Sequence, residues 1–320
     1  MAKKRMTKQA KSRVPKSKPS VISRRMCGAM EAHMRLLESD PEMRSRRAQI
    51  HAETSALILR GLADKRARTG PVTIPVVVHV VYSTANENIS DAQVSSQIDA
   101  LNRDYSAGNP DKNTCPSVWA GLIGDSMIRF ALATKDPEGQ PTNGITRTKT
   151  KAASFSTNDD VKRNANGGAD GWPSDRYLNL WVCSLGGGLL GYAQFPGGPT
   201  ATDGVVILNT AFGMSGTATA PYNLGRTATH EVGHWLNLNH IWGDTSDCSG
   251  TDHVDDTPNA QAPNFGTPTF PHVTCNNGPS GDMFVNYMDY VDDKAMVMFT
   301  HGQVARMQAA LASPRSSIGS

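Results

Sequence analysis

Hydrophobic and polar positions follow two textures along this chain. Residues 71–82, PVTIPVVVHVVY, are dense in β-branched side chains and unbroken in hydrophobicity, as expected of a strand covered on both faces. Shorter apolar runs at 128–133, 177–183 and 205–208 predict further strands. After the first run, Ser90 stands three residues before Gln93, a capping-box spacing that opens a helix. Val94, Ile98 and Leu101 then recur as one apolar stripe. Val304, Met307, Ala310 and Leu311 share one side of a second helix over 303–311. Strands interleaved with helices predict an α/β layer architecture.

Other stretches lack this order. Residues 1–20 are rich in Lys, Arg, Ser and Pro, have too little apolar surface to offset the entropy of ordering, and are expected to be disordered. Between residues 31 and 62, Met34, Leu37, Ile50, Leu57, Ile58 and Leu62 are scattered among charges, which fits short helices lying on another surface. The segment DKRARTG, 64–70, reads as an exposed linker open to proteolytic nicking. From 241 to about 279, Gly, Pro, Asn, Asp and Thr dominate, so disulfides or metal ions are needed to fix the backbone.

Charge divides the 320 residues more sharply than their net +3 suggests. Residues 1–68 carry 18 Lys or Arg against 6 Asp or Glu, which is +12 and leaves the remainder at −9. A basic leader and an acidic body attract one another; a solvated basic tail reads equally well from charge alone. No run of eighteen apolar residues exists, which excludes a membrane-spanning helix, and nothing points to nucleic acid or a membrane as partner. The first 25 residues hold ten basic side chains without the apolar segment of an ordinary secretory signal. Five cysteines, 27, 115, 183, 248 and 275, form no Cys-x-x-Cys pair and leave at least one thiol unpaired.

The chemistry concentrates in HEVGHWLNLNH, residues 230–240. On a helix His230 and His234 stack one turn apart and can present two imidazoles to one zinc ion, while Glu231 lies beside that face as a general base for water. His240 joins them only if the helix stops first, because ten residues of helix would carry it about 15 Å away. Asn237, tolerant of left-handed backbone, stands where the longer metallopeptidase pattern has Gly. Three ligands leave one position open, which favours catalysis over a closed structural site.

With NYMDY at 286–290 and LNLWVCSLGGGLLGYAQFPGGP at 178–199, this motif makes the chain resemble the metzincin clan of zinc peptidases and, within it, the pappalysin family, over about residues 70–311. The resemblance implies a zincin/metzincin α/β (α+β) fold. Its parts would be a twisted mixed five-stranded sheet, a backing helix, an active-site helix and an irregular C-terminal subdomain. It implies a basic pro-segment at 1–68, an N-terminal catalytic subdomain at 69–240, and a C-terminal one at 241–320 with Met-turn and final helix. Met288 would lie beneath the zinc and Tyr290 would steady the oxyanion; from the residues alone, Met288 reads as core packing. Cys27, in Arg25-Met-Cys-Gly28, resembles the thiolate that occupies the open zinc position of a zymogen, so the chain's own pro-segment would be its inhibitor, released by cleavage between residues 60 and 68. A stray cysteine in a tail is the alternative. The resemblance also implies a Cys248–Cys275 disulfide, secretion, and Ca2+ on Asp244, Asp252, Asp255 and Thr257, although a solvated acidic loop fits the same residues. Cys115 and Cys183 are expected to be buried free thiols.

Protein or peptide substrates would add along the Gly-rich edge around Gly191 and Tyr192 as an extra strand; a tight Gly turn is the other reading. Arginine-preferring family members carry an acidic residue soon after the Met-turn. Here Asp292 and Asp293 are followed by Lys294, which, turned into the pocket, would favour an acidic side chain after the cut. The expected function is a zinc endopeptidase made as a zymogen; the rivals are a non-catalytic zinc-binding interaction protein and a zinc hydrolase of small amides.

Overall fold

The computed structural model describes residues 24–61 and 70–319. The expected disorder of residues 1–20 and all but Gly70 of the linker lie outside the described residues. The sheet is built on β1 (Val72–Tyr82), which pairs in parallel with β4 (Leu178–Cys183) along one edge. Two short parallel strands share its other edge: β2 (Ile128–Leu132) beside residues 72–76 and β3 (Ile145–Lys149) beside 78–82. Beyond β4 lies β6 (Val205–Leu208), parallel, and then β5 (Gly191–Ala193), the one antiparallel strand of this sheet. Six strands therefore occupy the five lanes expected. The unexpected one, β3, has the sequence ITRTK and stays half wet, so no apolar run announces it.

β1 is continuously apolar because both its faces are covered. Val76, Val78 and Val80 join Leu180, Val182 and Ile207 in the main core beneath α3 (Asp91–Tyr105) and α5 (Arg226–Trp235), to which the short α4 (Ser117–Ala120) adds Trp119. On the opposite face Val81, Trp181, Cys183 and Val206 pack with Ala32 of α1 (Ala29–Ser39). Ser90 caps α3 by accepting from the Gln93 amide N–H. The Gln93 side chain does not complete the box; it is buried and donates instead to Asn209 and Phe212 carbonyls, tying α3 to the loop after β6. The box is complete at α6 (His301–Ala312), between Thr300 and Gln303.

Residues beyond His240 share the main core, which takes in Ile241, Met283, Val297, Met307 and Ile318. A disulfide joins Cys248 to Cys275 across the irregular segment. There β7 (Phe265–Gly266) pairs in parallel with β8 (Tyr290–Val291). Cys115 and Cys183 are free and buried.

His79 of β1 is buried between Thr146 and Asn179 and stacked on Trp181. Burial holds its ring neutral, lowering its pKa to about 4. Because the unfolded ring titrates near 6.5, the stabilisation is complete above that pH and is lost as pH falls through about 4, a change of roughly 3 kcal/mol. The melting temperature should fall between pH 6.5 and 4, and His79→Gln should flatten that fall; an unchanged slope would remove His79 as its source.

Candidate metal centre

α5 starts where the Asp293 carboxylate accepts from the Leu224 and Arg226 backbone N–H groups, a cap supplied from the far side of the site. It ends at Trp235. The Leu238 N–H then reaches back to the Gly233 carbonyl, and Asn237 adopts φ 73°, so the chain reverses in a left-handed turn. His240 is thereby returned to the two helical histidines. The Nε2 atom of His234 lies 3.2 Å from that of His230 and 3.0 Å from that of His240.

Each Nδ1 faces a group that only accepts: the Tyr287 carbonyl at 2.7 Å for His230, the Leu238 carbonyl at 2.8 Å for His234, and the Asp244 carboxylate at 2.6 Å for His240. The protons therefore sit on Nδ1, and three bare Nε2 lone pairs converge. Burial drives His230 and His234 well below the ordinary imidazole range, so protonation does not relieve the crowding. Three imidazole nitrogens aimed at one point fit a zinc ion, and Cys27 Sγ completes a group whose donor atoms all lie within 4.8 Å of one another.

Cys27 arrives on the edge of the sheet. The stretch before α1 runs parallel to β5, with the Gly28 N–H on the Gly191 carbonyl and the Leu190 N–H on the Met26 carbonyl. Gly191 permits this approach, because a Cβ there would sit 2.8 Å from the Val206 carbonyl and 2.9 Å from Glu231 Cγ. Glu231 is buried, its carboxylate 3.4 Å from Cys27 Sγ, and burial raises its pKa to about 8. Burial and the neighbouring Glu231 likewise push the Cys27 thiol up. The Tyr290 hydroxyl donates to the Cys27 carbonyl at 3.4 Å. Met288 lies under the helix, its sulfur 2.5 Å from where a Cβ on Gly233 would project.

The sequence profile of the pregnancy-associated plasma protein-A peptidases matches residues 157–312. An extracellular metalloprotease of Pyricularia oryzae is 31% identical over 305 residues, covering 91% of this chain and 89% of its own length. The chain belongs to the pappalysin family of metallopeptidases. It is a metalloendopeptidase. Among solved structures, a promirolysin mutant of Tannerella forsythia is similar with a TM-score of 0.83 and 46% identity, over 92% of this chain and 96% of that one. Mature mirolysin in complex with a cleaved peptide gives a TM-score of 0.74 and 53% identity, over 75% of this chain and 91% of that one.

Around this pappalysin centre the other residues singled out in the sequence take the following positions. Lys294 is exposed; the buried neighbour is Asp293, which pairs with Arg25 at 2.5 Å. Arg25 is itself buried, donating to the Val291 carbonyl and Thr227 hydroxyl and lying over the Tyr222 ring. Gly191 faces Glu231, but Tyr192, its neighbour in β5, points to the opposite face and packs under Lys162, away from the edge. The Asp244 carboxylate is engaged by His240 Nδ1 at 2.6 Å. Asp252 accepts from the Thr257 hydroxyl, Asp255 is exposed, and among the described residues no second group of three His, Cys, Asp or Glu donors converges.

Three contributors have no motif in the sequence. Arg226 clasps Asp111 through both terminal nitrogens and reaches the Asp293 carbonyl, fastening the helix to the loop below. Phe265, opposite Tyr290 in the β7–β8 pair, stays 39% exposed beneath Arg24. The third, Asp293, sits in a loop without periodicity.

Proposed function

We propose that this metalloendopeptidase is made as a latent precursor in which residues 1–68 are the inhibitory pro-segment. Residues 69–240 and 241–320 form the two halves of the catalytic unit. The convergence of Cys27 Sγ with the bare nitrogens of His230, His234 and His240 carries this reading. Zinc bound there would polarise the scissile carbonyl and acidify water. Glu231 would take the water proton on its carboxylate and deliver it to the departing amine, a role that its burial beside the three imidazoles supports. Tyr290, whose hydroxyl already reaches a peptide carbonyl oxygen, donates to the oxyanion. With the pro-segment gone, the open edge of β5 receives the substrate backbone. Asp293 receives a basic side chain, as it now receives Arg25. The extracellular relatives support a site of action outside the cell, and no helix among the described residues is long and apolar enough to cross a membrane.

The test compares the full chain before and after limited trypsin treatment, with casein as substrate. Cleavage should rise at least about tenfold on trimming, vanish with chelator and return with zinc. Cys27→Ser should raise the activity of the untrimmed chain. No cleavage in any arm would favour a non-catalytic zinc-binding protein or a hydrolase of small amides.

A further inference from the structure

Helix α2 (Met43–Leu59) touches the catalytic unit through residues other than Cys27, and its most buried polar contacts converge on one residue. Asn237 offers its amide oxygen to Arg47 Nη1 at 3.0 Å, and its amide nitrogen donates to the Thr54 hydroxyl at 3.3 Å. Both polar atoms of the Asn237 side chain are thus engaged by one face of α2. Its backbone carbonyl accepts from Arg306 Nε of α6 at 2.8 Å, and Arg306 also contacts His51, between Arg47 and Thr54 on α2. The turn that brings His240 back beside His234 needs only a residue tolerant of φ 73°, and glycine would meet that need. A side chain there requires another reason.

We infer that Asn237 is a receptor for the pro-segment: the turn of the histidine motif presents a docking surface, together with Phe195, Pro196 and Arg306, that holds α2 as a second lock independent of the thiol. The inference rests on reading residues 24–61 as inhibitory. Its physical basis is the situation of Arg47, which is buried with no carboxylate bonded to it among the described residues. Its partners are neutral: the Pro196 carbonyl at 3.1 Å, the Asn237 amide, His51, and the Phe195 ring whose centroid lies 5.0 Å away. The charges that bear on it most are the cations Arg306 and Arg315. A buried guanidinium among like charges depends on every acceptor it has, so loss of the Asn237 oxygen weakens docking more than loss of a surface contact would. Phe195 also packs 5.1 Å from the His234 ring, so the lock closes beside the metal centre.

The experiment uses the full zinc-loaded chain with Glu231→Gln to prevent self-cleavage, and measures alkylation of each free cysteine by peptide mass. If Cys27 in this parent reacts as fast as a free thiol, the pro-segment reading itself fails before any variant is compared. With Cys27 protected in the parent, Asn237→Gly and Arg47→Met should each speed its alkylation about tenfold or more while buried Cys115 stays protected. The double variant should speed alkylation by clearly less than the product of the two single effects, because both singles remove the same Arg47–Asn237 bond. Cys27 protected as in the parent in either single variant, or multiplicative effects in the double, would overturn the inference. If Asn237→Gly also exposes Cys115, Thr54→Val, which leaves the catalytic unit intact, must release Cys27 alone; failure to do so counts against the lock.

Discussion

Asp293→Asn is expected to lower kcat/KM for peptides with arginine after the scissile bond by roughly a hundredfold, and to leave matched leucine peptides within a few-fold of the parent. In the proposed site, Arg25 stands in for that arginine. Its guanidinium is 1% exposed, pairs with Asp293 at 2.5 Å, donates to the Val291 carbonyl and Thr227 hydroxyl, and lies 5.2 Å from the Tyr222 ring. An arginine brought into so dry a site without its counter-charge keeps the desolvation penalty and loses the compensation. Asn suits the test better than Ala, because Asp293 also accepts the Leu224 and Arg226 N–H groups that open α5, and an amide oxygen can keep those bonds. Steady-state kinetics on the trimmed enzyme with peptide pairs differing only at that position would decide it. An unaltered arginine-to-leucine ratio would show that the pocket lies elsewhere.

That pocket marks where sequence reasoning stops. The β1 strand and the zinc-binding string are legible because each rests on a periodicity that the backbone enforces: both faces of β1 are buried, and four residues make a helical turn. The break after Trp235 is equally legible, since His240 cannot meet His234 without it. Asp293 and Lys294 differ by one place in a loop with no period, so nothing in the order Asp-Asp-Lys says which side chain turns inward. The position of Tyr192 is within reach: once Gly191 faces Glu231, alternation along a strand sends its neighbour to the other face. The anchoring of α2 is not. Arg47 and Thr54 are seven residues apart among many charges, and their partner Asn237 lies some 190 positions away.

Glu231→Gln should reduce peptide hydrolysis by about a thousandfold or more in the trimmed enzyme, with zinc content unchanged at about one ion per chain. The separation of the two effects follows from the geometry. The three Nε2 donors are oriented by Tyr287, Leu238 and Asp244, and none of those bonds involves Glu231, so the donor set survives the substitution. What disappears is a carboxylate held 1% exposed beside the donor set. An amide of the same shape can neither take a proton from water nor return one to the leaving amine. His234→Ala supplies the contrast: it should lose activity and metal together, because it removes the nitrogen that lies within 3.2 Å of both other imidazoles. Zinc content measured by atomic emission beside kcat/KM on one peptide separates the cases. A Glu231→Gln enzyme that kept about a tenth of the parent activity and its full zinc would mean that another group moves the proton.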